Sequence, residues 1–249
     1  MSWKKTAAIV IPALALTLGG AGGAQANLVY NGDFELTTGV NKQFDSLTTV
    51  LGWTSTNGNN DAYNFIYAPG AADTVGATGQ YGNVQLWGPG NGSNNGMPAS
   101  SPVGGNFIAA DGPFQNGAIS QTINGLVVGD TYQVGFWWAA GQQYGFTGDT
   151  TEQWEVKFGS QSQSTVVVNN VSHGFTDWMY QTFDFQATST SELLSFISHG
   201  SPVGVPPFTL LDGVTVNAVP EPSALLLMGG GMLGLGVAGL RCRGKSTTV

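Results

Sequence analysis

The chain has 249 residues, of which only 9% are Asp, Glu, Lys or Arg, while 11% are aromatic and 38 are glycine. That aromatic content excludes a disordered chain, and the length suits one all-β domain with targeting segments. Between residues 27 and 219, two basic residues stand against fourteen acidic ones, and the resulting charge of about −12 excludes nucleic acid as a partner because it repels phosphate.

The first 26 residues have the three parts of a secretory signal peptide. Two lysines give a positive start, residues 7–18 form an apolar stretch, and Ala24 and Ala26 place small residues where a signal peptidase inspects the chain. Cleavage after Ala26 would make Asn27 the first mature residue. The alternative is an uncleaved anchor helix, although the apolar run is shorter than the ~20 residues that a membrane span prefers.

Residues 27–218 are predicted to form an antiparallel β-sandwich, or jelly roll. Short stretches of alternating apolar and polar residues are separated by turn pairs such as Asn31-Gly32 and Gly129-Asp130. The clearest strand is predicted over 131–139, where one face carries Tyr132, Val134, Phe136 and Trp138. Because no segment has a sustained helical period, the fold class is all-β.

The stretch 57–105 differs from the rest of the predicted domain. It is rich in Gly and Asn, and it also holds five aromatic residues, Tyr63, Phe65, Tyr67, Tyr81 and Trp87. Structureless loops of that length are unusual in compact domains and are often functional. One or two short strands are therefore expected within it.

Motifs along the domain carry a family resemblance. They are Asn31-Gly32-Asp33-Phe34-Glu35, Leu51-Gly52-Trp53, Ile119-Ser120-Gln121-Thr122, Gly129-Asp130-Thr131-Tyr132, Phe136-Trp137 and Leu210-Leu211-Asp212-Gly213-Val214. Their order is similar to that of galactose-binding-like jelly rolls, which include many carbohydrate-binding modules. The resemblance implies the same sandwich fold and a surface that binds carbohydrate.

The same resemblance implies a structural Ca²⁺ ion that joins the N-terminal segment to the last strand. Asp33 and Glu35 lie in the first segment and Asp212 in the last, with Asp111 as a looser addition. Calcium takes six to eight oxygen ligands, which such side chains supply. The alternative is that Asp33 and Asp212 cap turns through backbone hydrogen bonds.

Three aromatic residues are candidates for stacking on sugar rings, namely Tyr81, Trp87 and Tyr144. Each lies among Gly, Gln or Pro residues, so it has little apolar company nearby in the sequence and exposure is expected. The alternative is that each ring plugs the domain core beneath its loop. Trp53, Trp138 and Trp178 are expected to be core residues.

The sequence gives little support to an enzyme. The metalloprotease H-E-x-x-H, the hydrolase G-x-S-x-G and the phosphate-binding loop are all missing from it, and the predicted domain has no cysteine. Glycoside hydrolysis needs only two suitably placed carboxylates. Glu152 and Glu155 are close in sequence, but three residues apart on a strand they would point to opposite faces. We therefore expect no catalytic residues.

The last segment, 219–249, has three parts. Pro220-Glu221-Pro222 is followed by the uncharged residues 223–240 and by a basic end at 241–245 that includes Arg241 and Arg243. As a helix, 18 residues would be about 27 Å long, close to the thickness of the bilayer core, so a single transmembrane helix is predicted. The basic end favours a cytoplasmic C-terminus.

This tail resembles the PEP-CTERM sorting signal, whose partner is a membrane-embedded exosortase thought to cut near the Pro-Glu-Pro motif. The resemblance implies a Gram-negative host that makes exopolysaccharide, with the chain transiently anchored in the inner membrane and finally at the cell surface or in a biofilm matrix. A simple tail anchor is the alternative. Three functions stay open: a non-catalytic carbohydrate-binding surface protein, a purely structural matrix protein, and a secreted glycoside-acting enzyme.

Overall fold

The structure is a computed structural model that describes residues 26–59 and 62–220. Strands follow one another along the described chain as β1 (Lys42–Gln43), β2 (Thr54–Thr56), β3 (Asn64–Tyr67), β4 (Ala77–Gly79), β5 (Gly82–Val84), β6 (Phe107–Asp111), β7 (Ala118–Asn124), β8 (Thr131–Gln142), β9 (Thr150–Phe158), β10 (Gln161–Ser164), β11 (Val168–Asn170), β12 (Met179–Gln186), β13 (Ser191–Ser201) and β14 (Pro207–Ala218). A short 3-10 helix spans Pro89–Asn91. The predicted all-β class is confirmed.

The strands form two sheets. One has eight strands in the order β12-β8-β14-β6-β3-β1-β4-β5, and the other has six, with β10-β9-β13-β7-β2 as its path and β11 beside β9. Neighbouring strands pair antiparallel except for β1 and β4, which are parallel. The predicted antiparallel sandwich is therefore confirmed.

The main core lies between the sheets and follows the period-two pattern of the strands. On β8, the predicted inward face of Tyr132, Val134, Phe136 and Trp138 is buried in this core. On β9, every second residue from Thr150 to Phe158 is buried. The Trp154 indole N–H from β9 donates to the Leu210 carbonyl on β14 over 3.0 Å, so the buried polar group has a partner across the sandwich.

A second apolar cluster covers the opposite face of the eight-stranded sheet. It contains Phe65, Phe107, Ala139 and Leu210 from that sheet, and it continues into residues 68–106. Those residues include β4, β5 and the 3-10 helix. Together with β3, the described part of the stretch 57–105 therefore holds three short strands where one or two were expected. The segment therefore forms an outer layer packed on the sheet.

Both ends of the described chain lie at one end of the sandwich. The Leu28 N–H donates to the Val216 carbonyl over 2.9 Å, and the Val219 N–H donates to the Thr131 carbonyl over 2.8 Å. Across 26–59 and 62–220, no helix is long and apolar enough to cross a membrane. All but the last residue of the predicted signal peptide 1–26, and the whole predicted span 223–240, lie outside the described residues.

Candidate functional site

An apolar cleft opens at the other end of the sandwich, where β6 and β8 end and β14 begins. The pairing register of β14 with β6 and β8 brings these three strand ends together, because Asp111 pairs with Phe208 and Gln142 pairs with Pro207. The cavity measures about 360 Å³. We name it the Tyr81 cleft, and its lining includes the aromatic residues Tyr63, Tyr81, Phe114 and Phe146 together with Asp111, Pro113, Gln143, Val203 and Pro206.

The carboxyl group of Asp111 is the buried polar element of this cleft. Asp111 is 1% exposed, and its Oδ1 accepts a hydrogen bond from the Phe114 N–H over 3.1 Å. Its Oδ2 has no hydrogen-bond partner among the described residues. Burial raises the pKa of Asp111 to about 7, a rise that the Phe114 hydrogen bond partly offsets. Such an orphaned acceptor carries a desolvation cost that a ligand donor would relieve.

Two further polar groups line the Tyr81 cleft. Burial, and next the charge of Asp111, raise the pKa of Tyr63 to about 12, so that the phenol stays protonated at neutral pH. The side chain of Gln143 makes no hydrogen bond within residues 26–59 and 62–220, and its backbone N–H donates to the Pro206 carbonyl over 3.1 Å. An apolar pocket with a few convergent polar groups is the usual form of a small-molecule site.

Tyr81 forms the exposed wall of the cleft, and its stacking on sugar rings stays a prediction. It sits in the turn between β4 and β5 and is 63% exposed. Its ring centroid lies 5.7 Å from that of Phe114 and 6.1 Å from that of Tyr63. The Gln115 side-chain amide donates to the Tyr81 hydroxyl over 3.0 Å and so holds the ring in place.

The other two predicted stacking residues, Trp87 and Tyr144, lie together but outside the cleft lining. Their ring centroids are 4.5 Å apart in an edge-to-face arrangement. The Trp87 indole N–H donates to the Phe146 carbonyl over 2.9 Å. Tyr144 is 43% exposed, whereas Trp87 is partly buried. Through this bond Trp87 supports Phe146, whose side chain lines the Tyr81 cleft.

Three of the four predicted calcium ligands share a neighbourhood. Asp212 is fully buried, and burial raises its pKa to about 8, with further increases from the charges of Asp33 and Glu35. Its Oδ1 accepts from the Gly213 N–H over 2.7 Å and its Oδ2 accepts from the Ser101 hydroxyl. Within the described ranges, no group of three or more His, Cys, Asp or Glu side chains is arranged to hold a metal ion.

Asp111 does not join this acidic group. It pairs with Phe208, four residues before Asp212 on β14, which corresponds to roughly 13 Å along the strand. Turn residues next to Asp111 and Asp212 are visible in the sequence, but the register between the strands that carry these two residues is not. Asp111 belongs to the Tyr81 cleft instead.

The two glutamates considered for hydrolysis lie as the strand pattern predicted. Glu152 is buried inside the sandwich, where burial raises its pKa to about 8 despite a hydrogen bond from the Thr150 hydroxyl. Glu155 lies on the outer face, bonded to the His199 ring over 3.0 Å. Of the three tryptophans expected in the core, Trp53 and Trp138 are buried, whereas Trp178 is partly buried against the outer layer.

Sequence reasoning missed most of the cleft. Phe114 and Phe146 are exposed aromatic residues beside glycine or proline, the same kind of context that pointed to Tyr81, and they could have been found in that way. Val203 and Pro206 come from a loop about 90 residues further along the chain than Asp111, and nothing local links them to it.

The tail matches a known sorting signal. The PEP-CTERM protein-sorting motif matches residues 218–243, which include Pro220, Glu221, Pro222, Arg241 and Arg243. The match indicates export through an exosortase-type system with a C-terminal membrane anchor, as the sequence predicted. Of the predicted processing residues, Ala26 and Pro220 lie at the edges of the described chain, and the others, Ala24 included, lie outside it.

Similar folds occur among proteins that bind or cleave carbohydrate, and no curated protein matches the chain. TmCBM61 in complex with β-1,4-galactotriose is 16% identical, with 78% of this chain and 99% of that one covered and a TM-score of 0.40. The CBM22-1 xylan-binding domain of Paenibacillus barcinonensis Xyn10C is 12% identical, with 76% and 97% covered and a TM-score of 0.34. An arabinose-bound MgGH51 α-L-arabinofuranosidase is 12% identical, with 80% and 27% covered and a TM-score of 0.42, so the chain spans about a quarter of it.

Proposed function

We propose that this exported protein binds neutral carbohydrate through the Tyr81 cleft and does so without catalysis. The observation that carries the proposal is one cavity that combines exposed aromatic rings with a buried carboxylate oxygen lacking a partner. Rings such as Tyr81 stack on the apolar faces of sugars, while the carboxylate, the Tyr63 hydroxyl and the Gln143 amide bond to sugar hydroxyls. The acidic domain surface favours a neutral ligand over an anionic one.

Binding is favoured over hydrolysis by the number of carboxylates in the cleft. Hydrolysis of a glycosidic bond uses two carboxyl groups, separated by roughly 5–9.5 Å. Among the described residues that line the Tyr81 cleft, Asp111 is the only carboxylate. A single carboxylate can orient a sugar but supplies only half of that acid–base pair.

Two processing steps complete the proposal. A signal peptidase cuts after Ala26, and an exosortase acts at Pro220-Glu221-Pro222 after transient anchoring in the inner membrane of a Gram-negative host. The mature domain, 27–218, then works at the cell surface or in an exopolysaccharide biofilm matrix. The small residues before Asn27 and the match of the tail to the sorting motif support this order.

We also propose calcium as a structural ion near Asp33, Glu35 and Asp212. The mutual proximity of three carboxylates, one of them fully buried, supports a cation there, because a positive charge would offset their repulsion. The present hydrogen bonds of Asp212 to Ser101 and Gly213 fit the turn-capping alternative. The two readings differ in their response to a chelator.

Polysaccharide pull-down tests the proposed function. The full-length chain is incubated with insoluble and immobilised neutral polysaccharides, including the exopolysaccharide of its own host, and compared with its Tyr81→Ala variant. Tyr81 is exposed, so the variant should keep its melting temperature but lose at least tenfold in affinity. Retention of neither protein on any polysaccharide would leave a purely structural matrix role as the better explanation, and equal strong retention of both would place binding outside the Tyr81 cleft.

A further inference from the structure

The chemistry of the Tyr81 cleft narrows the class of sugar, an inference that rests on the carbohydrate-binding function proposed above. We propose that the cleft takes one neutral sugar ring carrying an apolar substituent next to a hydrogen-bond donor, with that donor on Asp111 Oδ2. A 6-deoxyhexose and an N-acetylated amino sugar both present this chemistry. Each has a methyl group and a nearby O–H or N–H.

Charge excludes the acidic sugars. The basic residues of the described chain are Lys42 on β1 and Lys157 on β9, and neither lines the cleft. Lys157 lies on the six-stranded sheet beside Glu155, with 3.4 Å between their charged atoms. A uronate or sulfate group in the cleft would meet the Asp111 carboxyl with no cation to balance it.

The walls favour an apolar substituent. Pro113, Val203 and Pro206 join the aromatic rings around the opening, and none of their side chains can bond to a hydroxyl group. A hexose hydroxyl pressed against them would lose water without gaining a partner, and such burial is unfavourable. A methyl group in the same position would instead bury apolar surface.

Asp111 determines which partner donates in the hydrogen bond between cleft and ligand. The Phe114 N–H occupies Oδ1, whereas Oδ2 is buried and lacks a donor within the described chain. Toward the ionised carboxyl the ligand supplies an O–H or N–H group, because another acceptor would face the carboxylate oxygen unfavourably. The cavity of about 360 Å³ is at the small end of ligand pockets, which fits a single ring at a chain end or on a side branch.

Titration calorimetry with free monosaccharides tests the ligand class on the full-length chain. The substituted probes are L-fucose and N-acetyl-D-glucosamine, and the matched plain probes are L-galactose and D-glucose. At least one substituted probe should bind fivefold or more tightly than both plain probes, and the tighter of the two identifies the substituent. D-glucuronate should not bind detectably.

Two variants locate the effect. In the Asp111→Asn variant, the amide oxygen still accepts the hydrogen bond from the Phe114 N–H. The amide NH₂ group then takes the place of Oδ2 and faces the ligand donor, so affinity should fall at least tenfold. Val203→Thr puts a hydroxyl on a side chain that is 84% exposed, so it should spare the fold while reducing the preference for substituted probes below twofold.

The outcomes separate this inference from the function on which it rests. Equal binding of plain and substituted probes, lost in Tyr81→Ala, would overturn the ligand class and keep the carbohydrate-binding function. Full affinity in a folded Asp111→Asn variant would also overturn the inference. Failure of every probe and every polysaccharide to bind would overturn both.

Discussion

The imidazole ring of His173 stacks on the indole of Trp87, with centroids 3.9 Å apart and planes inclined by 27°. The His173 backbone N–H donates to the Gln142 side-chain carbonyl over 2.7 Å, and the His173 backbone carbonyl accepts from the side chains of Ser93 and Asn95 over 2.8 and 3.0 Å. The stack thus joins loops from the outer layer to the end of β8. It fixes the segment that holds Phe146 against the Tyr81 cleft.

Trp87→Ala should therefore act on stability first and on binding second. Loss of the stack and of the bond to the Phe146 carbonyl should lower the free energy of unfolding by about 1–3 kcal/mol. Carbohydrate affinity should fall less than in Tyr81→Ala. Urea denaturation and the pull-down measure the two effects, with Tyr144→Ala as the exposed neighbouring control. Abolished binding at unchanged stability would show instead that the ligand touches Trp87.

Stability should fall as the pH rises from about 5 to 8. Burial raises the pKa values of Asp111, Glu152 and Asp212 to about 7, 8 and 8, far above those of exposed carboxyl groups. Between the unfolded and folded pKa values the folded state holds more protons, so raising the pH favours unfolding. One such group alone implies a drop of roughly 3 kcal/mol in the free energy of unfolding over this interval, so the drop should be at least that large.

Glu152→Gln isolates one of these groups, since it keeps the acceptor for Thr150 and cannot ionise. Urea denaturation at a series of pH values should show a shallower decline for the variant than for the parent chain. A parent stability that stays level or increases from pH 5 to 8 would contradict the burial of these carboxyls as neutral groups.

Carbohydrate affinity should depend on pH in the opposite direction. A ligand donor on Asp111 favours the ionised carboxyl, so binding releases a proton and affinity increases with pH until it levels off above about 7. The expected gain between pH 5.5 and 7.5 is at least fivefold in calorimetric titrations. Asp111→Asn should show a flat, weak profile. Tighter binding at pH 5.5 would mean that the protonated carboxyl donates to the ligand.

Calcium, if bound near Asp212, should stabilise the fold. Differential scanning calorimetry of the full-length chain should give a melting temperature several degrees higher with 1 mM Ca²⁺ than with EGTA, because a ligand that binds only the folded state stabilises it. Asp212→Asn should remove this difference. Magnesium at the same concentration is the control, and a melting temperature that ignores both chelator and metal would favour turn capping alone.

The sequence predicted the sandwich well because its strands alternate cleanly. The inward residues from Tyr132 to Trp138 on β8 and from Trp154 to Phe158 on β9 are large and apolar, so a period of two could be read directly for those strands. The sheet strand beneath the outer layer was harder to predict, since β3 is buried at all four positions and shows no alternation. Ile66 faces the main core, whereas Phe65 and Tyr67 face the cluster that continues into the segment 68–106, and local patterns carry no trace of burial on both faces.

The candidate site was predicted only in part, because it is assembled from distant segments. Exposure of Tyr81 followed from its polar neighbours, as expected for a turn between short strands. The pairing of Asp111 with Phe208 depends on the register of β6 and β14, which lie about 100 residues apart. Without that register, Asp111 could be grouped with Asp212, although the strand separates them.

Strand β14 runs from the Tyr81 cleft at one end of the sandwich to the start of the tail at the other. Pro207 stands beside the cleft, and Ala218, eleven residues later, is where the sorting motif begins. An extended strand of this length spans roughly 37 Å. Because Val219 is still bonded to Thr131, the folded body extends into the first residues of the sorting motif. A copy held by its tail would therefore carry the Tyr81 cleft at the end of the sandwich opposite the point of attachment.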